Sequence, residues 1–169
     1  MISALSLAAC SGAGSSQASA PGSTAAYGVF TGSIELKGEI AVKGSFTDTI
    51  TSREETCDQY VRGLAPATTL WVVPTPNTGV MVGGHIVSLS AGVPTDTPST
   101  GYRGPGTYSE PSAIVADLII DNTSFVAGDE GTATITVAED GSGSLSFTDM
   151  EDTSNFARES GSEHWKCLG

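Results

Sequence analysis

The chain has 169 residues and a formal net charge of -12, with 7 Lys plus Arg against 19 Asp plus Glu. That length holds one domain with a proper core. So few basic side chains, scattered along the chain, argue against nucleic-acid binding, and the acidity argues against the folded part lying on anionic lipid.

The first distinctive stretch is Leu7-Ala8-Ala9-Cys10, led by apolar Met1, Ile2, Ala4 and Leu5. Export requires an apolar run, then small residues that let a peptidase reach the backbone. Closed by a cysteine, the stretch resembles the lipobox of bacterial lipoproteins. The resemblance implies that residues 1–9 are a truncated signal peptide and that Cys10 is diacylglycerylated to become the anchored N-terminus. No Lys or Arg precedes the run, so the true start is expected upstream of Met1. Residues 11–26 are mostly Ser, Gly and Ala with a single Pro21, a flexible tether spanning roughly 20–25 Å. Residues 27–169 are expected to form an all-β extracytoplasmic domain. No apolar stretch is long enough to span a bilayer as a helix.

From Tyr27 the texture is period two. Ile34 and Leu36 alternate with Ser33, Glu35 and Lys37, and after Gly38 come Ile40, Val42, Phe46 and Ile50. Such alternation predicts half-buried antiparallel strands, with Gly38 and Gly44 as bends or bulges. Arg53 to Thr56 reads as a charged loop and Asp58 to Leu64 as a short turn of helix. Thr68 to Val73 and Val80 to Leu89 are strands, the second broken at Gly83-Gly84. Ala91 to Glu110, with Pro94, Pro98 and Pro105, reads as a long surface loop. Ser112 to Ile120 is a strongly apolar strand. Gly131 to Ala138 and Leu145 to Phe147 flank an Asp140-Gly141-Ser142-Gly143 turn as a hairpin. Asp149 to Ser162 reads as an acidic loop, and Glu163 to Cys167 as a short last strand with Trp165 turned inward. The sum is an antiparallel sandwich or barrel of about eight strands.

With Cys10 lipidated, Cys57 and Cys167 remain as an even pair in an oxidising compartment and are read as one disulfide. A zinc site needs more ligands near one another than two distant cysteines and two histidines supply. Asp140-Gly141-Ser142-Gly143-Ser144 matches the Asp-x-Ser-x-Ser metal loop of von Willebrand A-type domains. That site needs a helix after the loop, whereas Leu145-Ser146-Phe147 has strand alternation. Asp149, Glu151 and Asp152 lack the glycine and distal Glu of a calcium loop. No metal and no cofactor is expected. Neither His85 nor His164 sits in a recognisable nucleophile setting, so the chain is not expected to be an enzyme. Asn122-Thr123-Ser124 matches a glycosylation sequon.

Tyr102, Arg103 and Tyr108 are the best binding lead, placing amphipathic groups in a Gly/Pro loop. The competing reading packs Tyr108 on a sheet edge and leaves Gly104-Pro105-Gly106 as a plain turn. On the binding reading, replacing both tyrosines by Ala would leave the fold intact.

Taken together, the Cys10 lipobox, the tether, Gly104-Pro105-Gly106-Thr107-Tyr108, the Gly131 to Phe147 hairpin and Trp165-Lys166-Cys167 resemble small actinobacterial cell-envelope lipoproteins. The resemblance implies an all-β domain with one disulfide closing on the last strand, and it supplies no catalytic residues. It sets the expected place as the outer face of the cytoplasmic membrane. The expected role is a binding module for an envelope glycolipid, a small hydrophobic ligand or a partner protein. A dry cavity or aromatic-lined groove would favour a small ligand, and a filled core with an exposed apolar patch a protein. The rivals are a surface protein without a dedicated ligand, and a hydrolase in which His85 or His164 meets a carboxylate and a hydroxyl.

Overall fold

Alternation decides which face of each strand is buried, and the sheet then curls around that face. The computed structural model describes residues 29–49, 56–63, 69–76 and 79–169. The signal stretch, Cys10, the tether, Ile50 and Arg53 to Glu55 lie outside the described residues. In chain order the elements are β1 (Val29–Gly38), β2 (Val42–Thr49), α1 (Cys57–Val61), β3 (Leu70–Val72), β4 (Val80–Val82) and β5 (His85–Pro94). There follow β6 (Gly106–Ser109), β7 (Ile114–Ile120), β8 (Thr123–Val137), β9 (Gly143–Glu151) and β10 (Arg158–Leu168). Eight strands lie on one antiparallel path, β2-β1-β10-β9-β8-β7-β5-β3, curled as a half-barrel. β4 adds to the edge of β5, and β6 to β8.

β8 makes the corner. Its first residues pair with β7 and its last with β6, both along one edge, while β9 runs along the other. The β8–β9 register slips between Ala127 and Thr132, a bulge that bends the strand and adds twist. The far edge comes back on itself: a side chain at Gly44 of β2 would run into Val82 and Gly83 beside β4.

A sheet this curved crowds its inner face, and three glycines relieve the crowding. Gly32 pairs across strands with Phe46, Gly143 with Trp165 and Gly161 with Phe147. In each pair a Cβ on the glycine would collide with the partner ring. The rings therefore lie over bare backbone, where large side chains on both strands would not fit. Phe30, Ile34, Leu36, Leu118, Phe125, Ile135, Leu145 and Met150 fill the rest of the interior.

Two glutamates sit in that inner face, and both alternate with inward Gly161 and Trp165 on β10. Glu163 is fully buried between Ile34 and Leu145 on the flanking strands. Glu159, also fully buried, accepts a hydrogen bond from the Ile40 amide at 2.6 Å and so ties down the β1–β2 turn. Burial pushes its carboxyl above the usual range, against the lowering effect of the amides of Ile40 and Glu39. A carboxyl raised in the fold binds its proton more tightly there than in the open chain, so stability falls as pH rises past about 4.5. Glu159→Gln keeps an acceptor for Ile40 and removes the ionisation. Its melting temperature should match the parent near pH 4 and exceed it at pH 7, and equal slopes for both proteins between those values would refute this.

The Cys57–Cys167 disulfide forms, with Cα atoms 5.8 Å apart. It fixes α1 at one end of the barrel, where Thr56 caps the helix with Gln59 in a reciprocal box.

Several boundaries differ from the sequence expectation. Gly83-Gly84 is a hairpin turn between β4 and β5, since both residues have positive φ (59° and 92°), and is no mere break in one strand. The expected loop from Ala91 yields four residues to β5 and four to β6. β8 starts eight residues before Gly131. The acidic loop shrinks to residues 152–157, because β9 runs on to Glu151 and β10 starts at Arg158.

Candidate functional site

The outer face of β2-β1-β10-β9 is built from hydroxyls. Register places Ser45, Ser33, His164, Ser144, Thr136 and Thr107 in one row across six strands. The adjoining row runs Lys43, Glu35, Ser162, Ser146, Thr134 and Ser109. Hydroxyls bridge strands at Thr132–Thr148 (2.9 Å) and Thr107–Thr136 (3.2 Å).

A groove of about 570 Å³ lies on this face. Its walls carry Thr31, Ser33, Ser45, Ser144, His164 and Lys166, and its lining includes Gly32 and Gly143. A second depression of about 350 Å³ shares Ser33, Ser45 and His164 with it and continues to Glu35 and Lys43. Lys37 and Lys43 both bind Glu35, at 3.1 and 3.0 Å, and hold its carboxyl below the usual range. Lys166 projects beside Asp140, whose own carboxyl is lowered by hydrogen bonds from the Ser142 hydroxyl and amide, with Lys166 adding to the effect. All three lysines of this acidic chain thus stand on one face.

The tyrosine loop is placed differently from the binding expectation. Tyr102 stacks on Trp71 with ring centroids 4.3 Å apart, and Tyr108 stacks on Tyr102 at 5.4 Å. Trp71 continues to Tyr60, and Tyr60 to Phe30, so five rings form a ladder over the disulfide end. The Tyr102 hydroxyl donates to the Val61 carbonyl and the Tyr108 hydroxyl to that of Gly104. Burial, with Tyr108 beside it, pushes the Tyr102 phenol upward. Both rings are half-buried and committed to packing, while the Arg103 side chain is exposed. Replacing these tyrosines therefore removes part of the fold.

The other sequence motifs resolve as local structure. Asp140 lies in the β8–β9 hairpin turn and accepts hydrogen bonds from Ser142 two residues on. Trp165 clamps this turn by donating to the Gly141 carbonyl at 2.9 Å. Asp149 and Glu151 pair with Arg158, and Asp152 holds the Ser154 amide. Among the described residues no group of three His, Cys, Asp or Glu side chains is arranged to hold a metal ion. His85 binds the Asp121 carboxylate at 2.6 Å, and the other Asp121 oxygen accepts the Ile86 amide. Among the described residues this pair supplies a base and its orienting acid, with no hydroxyl bonded to the ring as a third member. His164 stands exposed among serines of the groove.

At the barrel end away from the disulfide, the β1–β2, β7–β8 and β9–β10 turns surround a polar pocket of about 400 Å³. The β9–β10 turn holds Phe156 at φ 61° with 73% of its surface exposed. A left-handed conformation costs a residue with a Cβ about 1–2 kcal/mol. Four main-chain donors enforce it: Phe156 to Asp152, Asp152 to Ala157, Ser154 to the Asp152 side chain and Ala157 to the Asn155 side chain. Nothing in sequence periodicity flags the groove, which exists only once register is set. Phe156, directly after the polar run Asp152-Thr153-Ser154-Asn155, is the available signal for the second pocket.

No family model, no curated protein and no solved structure matches this chain.

Proposed function

We propose that this chain is the extracytoplasmic domain of a lipid-anchored envelope protein, tethered through Cys10, and that it works as a binding module. Its working surface is the hydroxyl groove over β1 and β10, and its ligand an anionic, sugar-bearing head group of the kind an envelope glycolipid presents. One observation carries the reading: in a chain of net charge -12, Lys43 and Lys166 line a single hydroxyl-rich face with His164, and Lys37 shares Glu35 with Lys43 beside them. Serine and threonine hydroxyls donate and accept, as a polyol requires, and the lysines select for negative charge. The disulfide accords with an oxidising compartment, and the interior is filled by side chains, which favours a surface groove over an internal cavity.

The test uses the full chain carrying Cys10→Ser, so that acylation cannot deliver it to a membrane. Sedimentation with vesicles bearing a phosphorylated glycolipid should exceed that with vesicles bearing a neutral diglycosyl lipid by at least tenfold. The Lys43→Gln/Lys166→Gln pair should erase the difference. Indifference to lipid charge, or to the two lysines, overturns the groove reading. The anchor is tested apart: native material should enter the detergent phase with Cys10 acylated, and a bare Cys10 in the aqueous phase would overturn it.

A further inference from the structure

Phe156 carries an exposed ring on a backbone held at a conformation that glycine or asparagine would adopt with less strain. With the ring outside the core, the strain returns nothing to folding, so its use lies outside the chain. The 400 Å³ pocket is lined up to Asn155, the residue before Phe156, together with Glu39, Asn122, Ser124, Asp152 and Ser154; the Phe156 ring itself stands outside that lining. Asp152 is only 6% exposed, and one of its oxygens holds the Ser154 amide. Planar amides and carboxylates offer paired acceptors and donors at the spacing of neighbouring hydroxyls on a sugar ring. A phenyl ring offers what the other face of a sugar needs, a flat apolar surface with a negative quadrupole for its C–H groups. No lysine, arginine or histidine lines the pocket, which separates it from the groove.

The geometry points to a second binding site at this end of the barrel, taking a neutral sugar residue with Phe156 as its stacking platform. The site does not rest on the groove reading. It also lies at the right end: β1 enters at Val29 beside the disulfide and ends at Gly38, nine residues on, about 30 Å along the strand. Whatever precedes Val29 therefore joins the barrel at the end opposite this pocket.

Nitrogen-15-labelled full chain carrying Cys10→Ser is titrated in turn with neutral glucose-, mannose-, galactose- and arabinose-based oligosaccharides. At least one should shift the side-chain amide signals of Asn122 and Asn155. Phe156→Gly should weaken that binding at least tenfold while leaving the melting temperature unchanged or higher, and Phe156→Tyr should retain it within threefold. The Lys43→Gln/Lys166→Gln pair should bind the same sugar as the parent does. The site is refuted by silence from the whole panel, by equal binding of Phe156→Gly, by loss of binding in the lysine pair, or by the same amide shifts on adding calcium alone.

Discussion

Reducing the Cys57–Cys167 bond should lower the melting temperature by about 10–15 °C. The bond closes a loop across a separation of 110 residues, for which chain entropy gives about 4–5 kcal/mol. At this chain size each kcal/mol moves the midpoint by about 2–4 °C. The loss should also have a local signature. Cys57 opens α1, whose Tyr60 and Val61 are buried, and Tyr60 is the ring joining Phe30 to Trp71. Freed from β10, the helix should loosen the ladder and dim the near-ultraviolet circular dichroism before the strands melt. Cys57→Ser/Cys167→Ser should reproduce both effects without reductant. An unchanged midpoint in reductant and in the double variant would mean that the helix and ladder stand without the bond.

The parts of the fold legible in the sequence are those where burial follows side-chain type. β1 and β9 alternate cleanly, Ile34 and Leu36 or Leu145 and Phe147 inward and hydroxyls outward. The start of β10 inverts the rule: Glu159 and Glu163 point in with Gly161 between them, while Ser160 and Ser162 line the outside. A strand with carboxylates on its buried face reads as an acidic loop. The first half of β8, ahead of the expected strand from Gly131, escaped for another reason: the bulge between Ala127 and Thr132 breaks period two and fills the gap with Gly128-Asp129-Glu130-Gly131. Gly83-Gly84 between Val80-Met81-Val82 and His85-Ile86-Val87 did carry a two-residue hairpin signal.

The sites were less legible than the strands, since both depend on contacts between distant segments. Trp71 and Tyr102 are thirty-one positions apart, and only the fold shows that a tyrosine in a Gly/Pro loop is stacked instead of presented. The groove needs β1 beside β10, the first and last strands of the barrel. Serines at 33, 45 and 144 are ordinary solvent-facing residues until register sets them in line with His164.

Trp165→Ala should cost about 3–5 kcal/mol, the usual loss for a large buried aromatic. In a domain whose whole stability is about 5–15 kcal/mol, that is a severe change. Trp165 is 2% exposed, its ring covers Gly143, and its indole N–H holds the Gly141 carbonyl of the β8–β9 turn. Trp165→Phe keeps a ring over the glycine and loses the hydrogen bond, so denaturant unfolding should place it between parent and alanine variant. Gly143→Ala should also destabilise, because its Cβ would meet both the Trp165 ring and the Thr136 carbonyl. If the ring-on-glycine fit is what admits the tryptophan, the two losses should not add. The Trp165→Ala/Gly143→Ala double variant should unfold at a higher denaturant concentration than their sum implies. It should stay below the parent, because Thr136 still crowds the new methyl. Strict additivity would show that the glycine serves the backbone alone. Gly143 and Trp165 also line the groove from beneath, so if the groove is the proposed binding surface, Trp165→Phe should sediment with phosphorylated glycolipid vesicles as the parent does, whereas Trp165→Ala should do so less even where both remain folded.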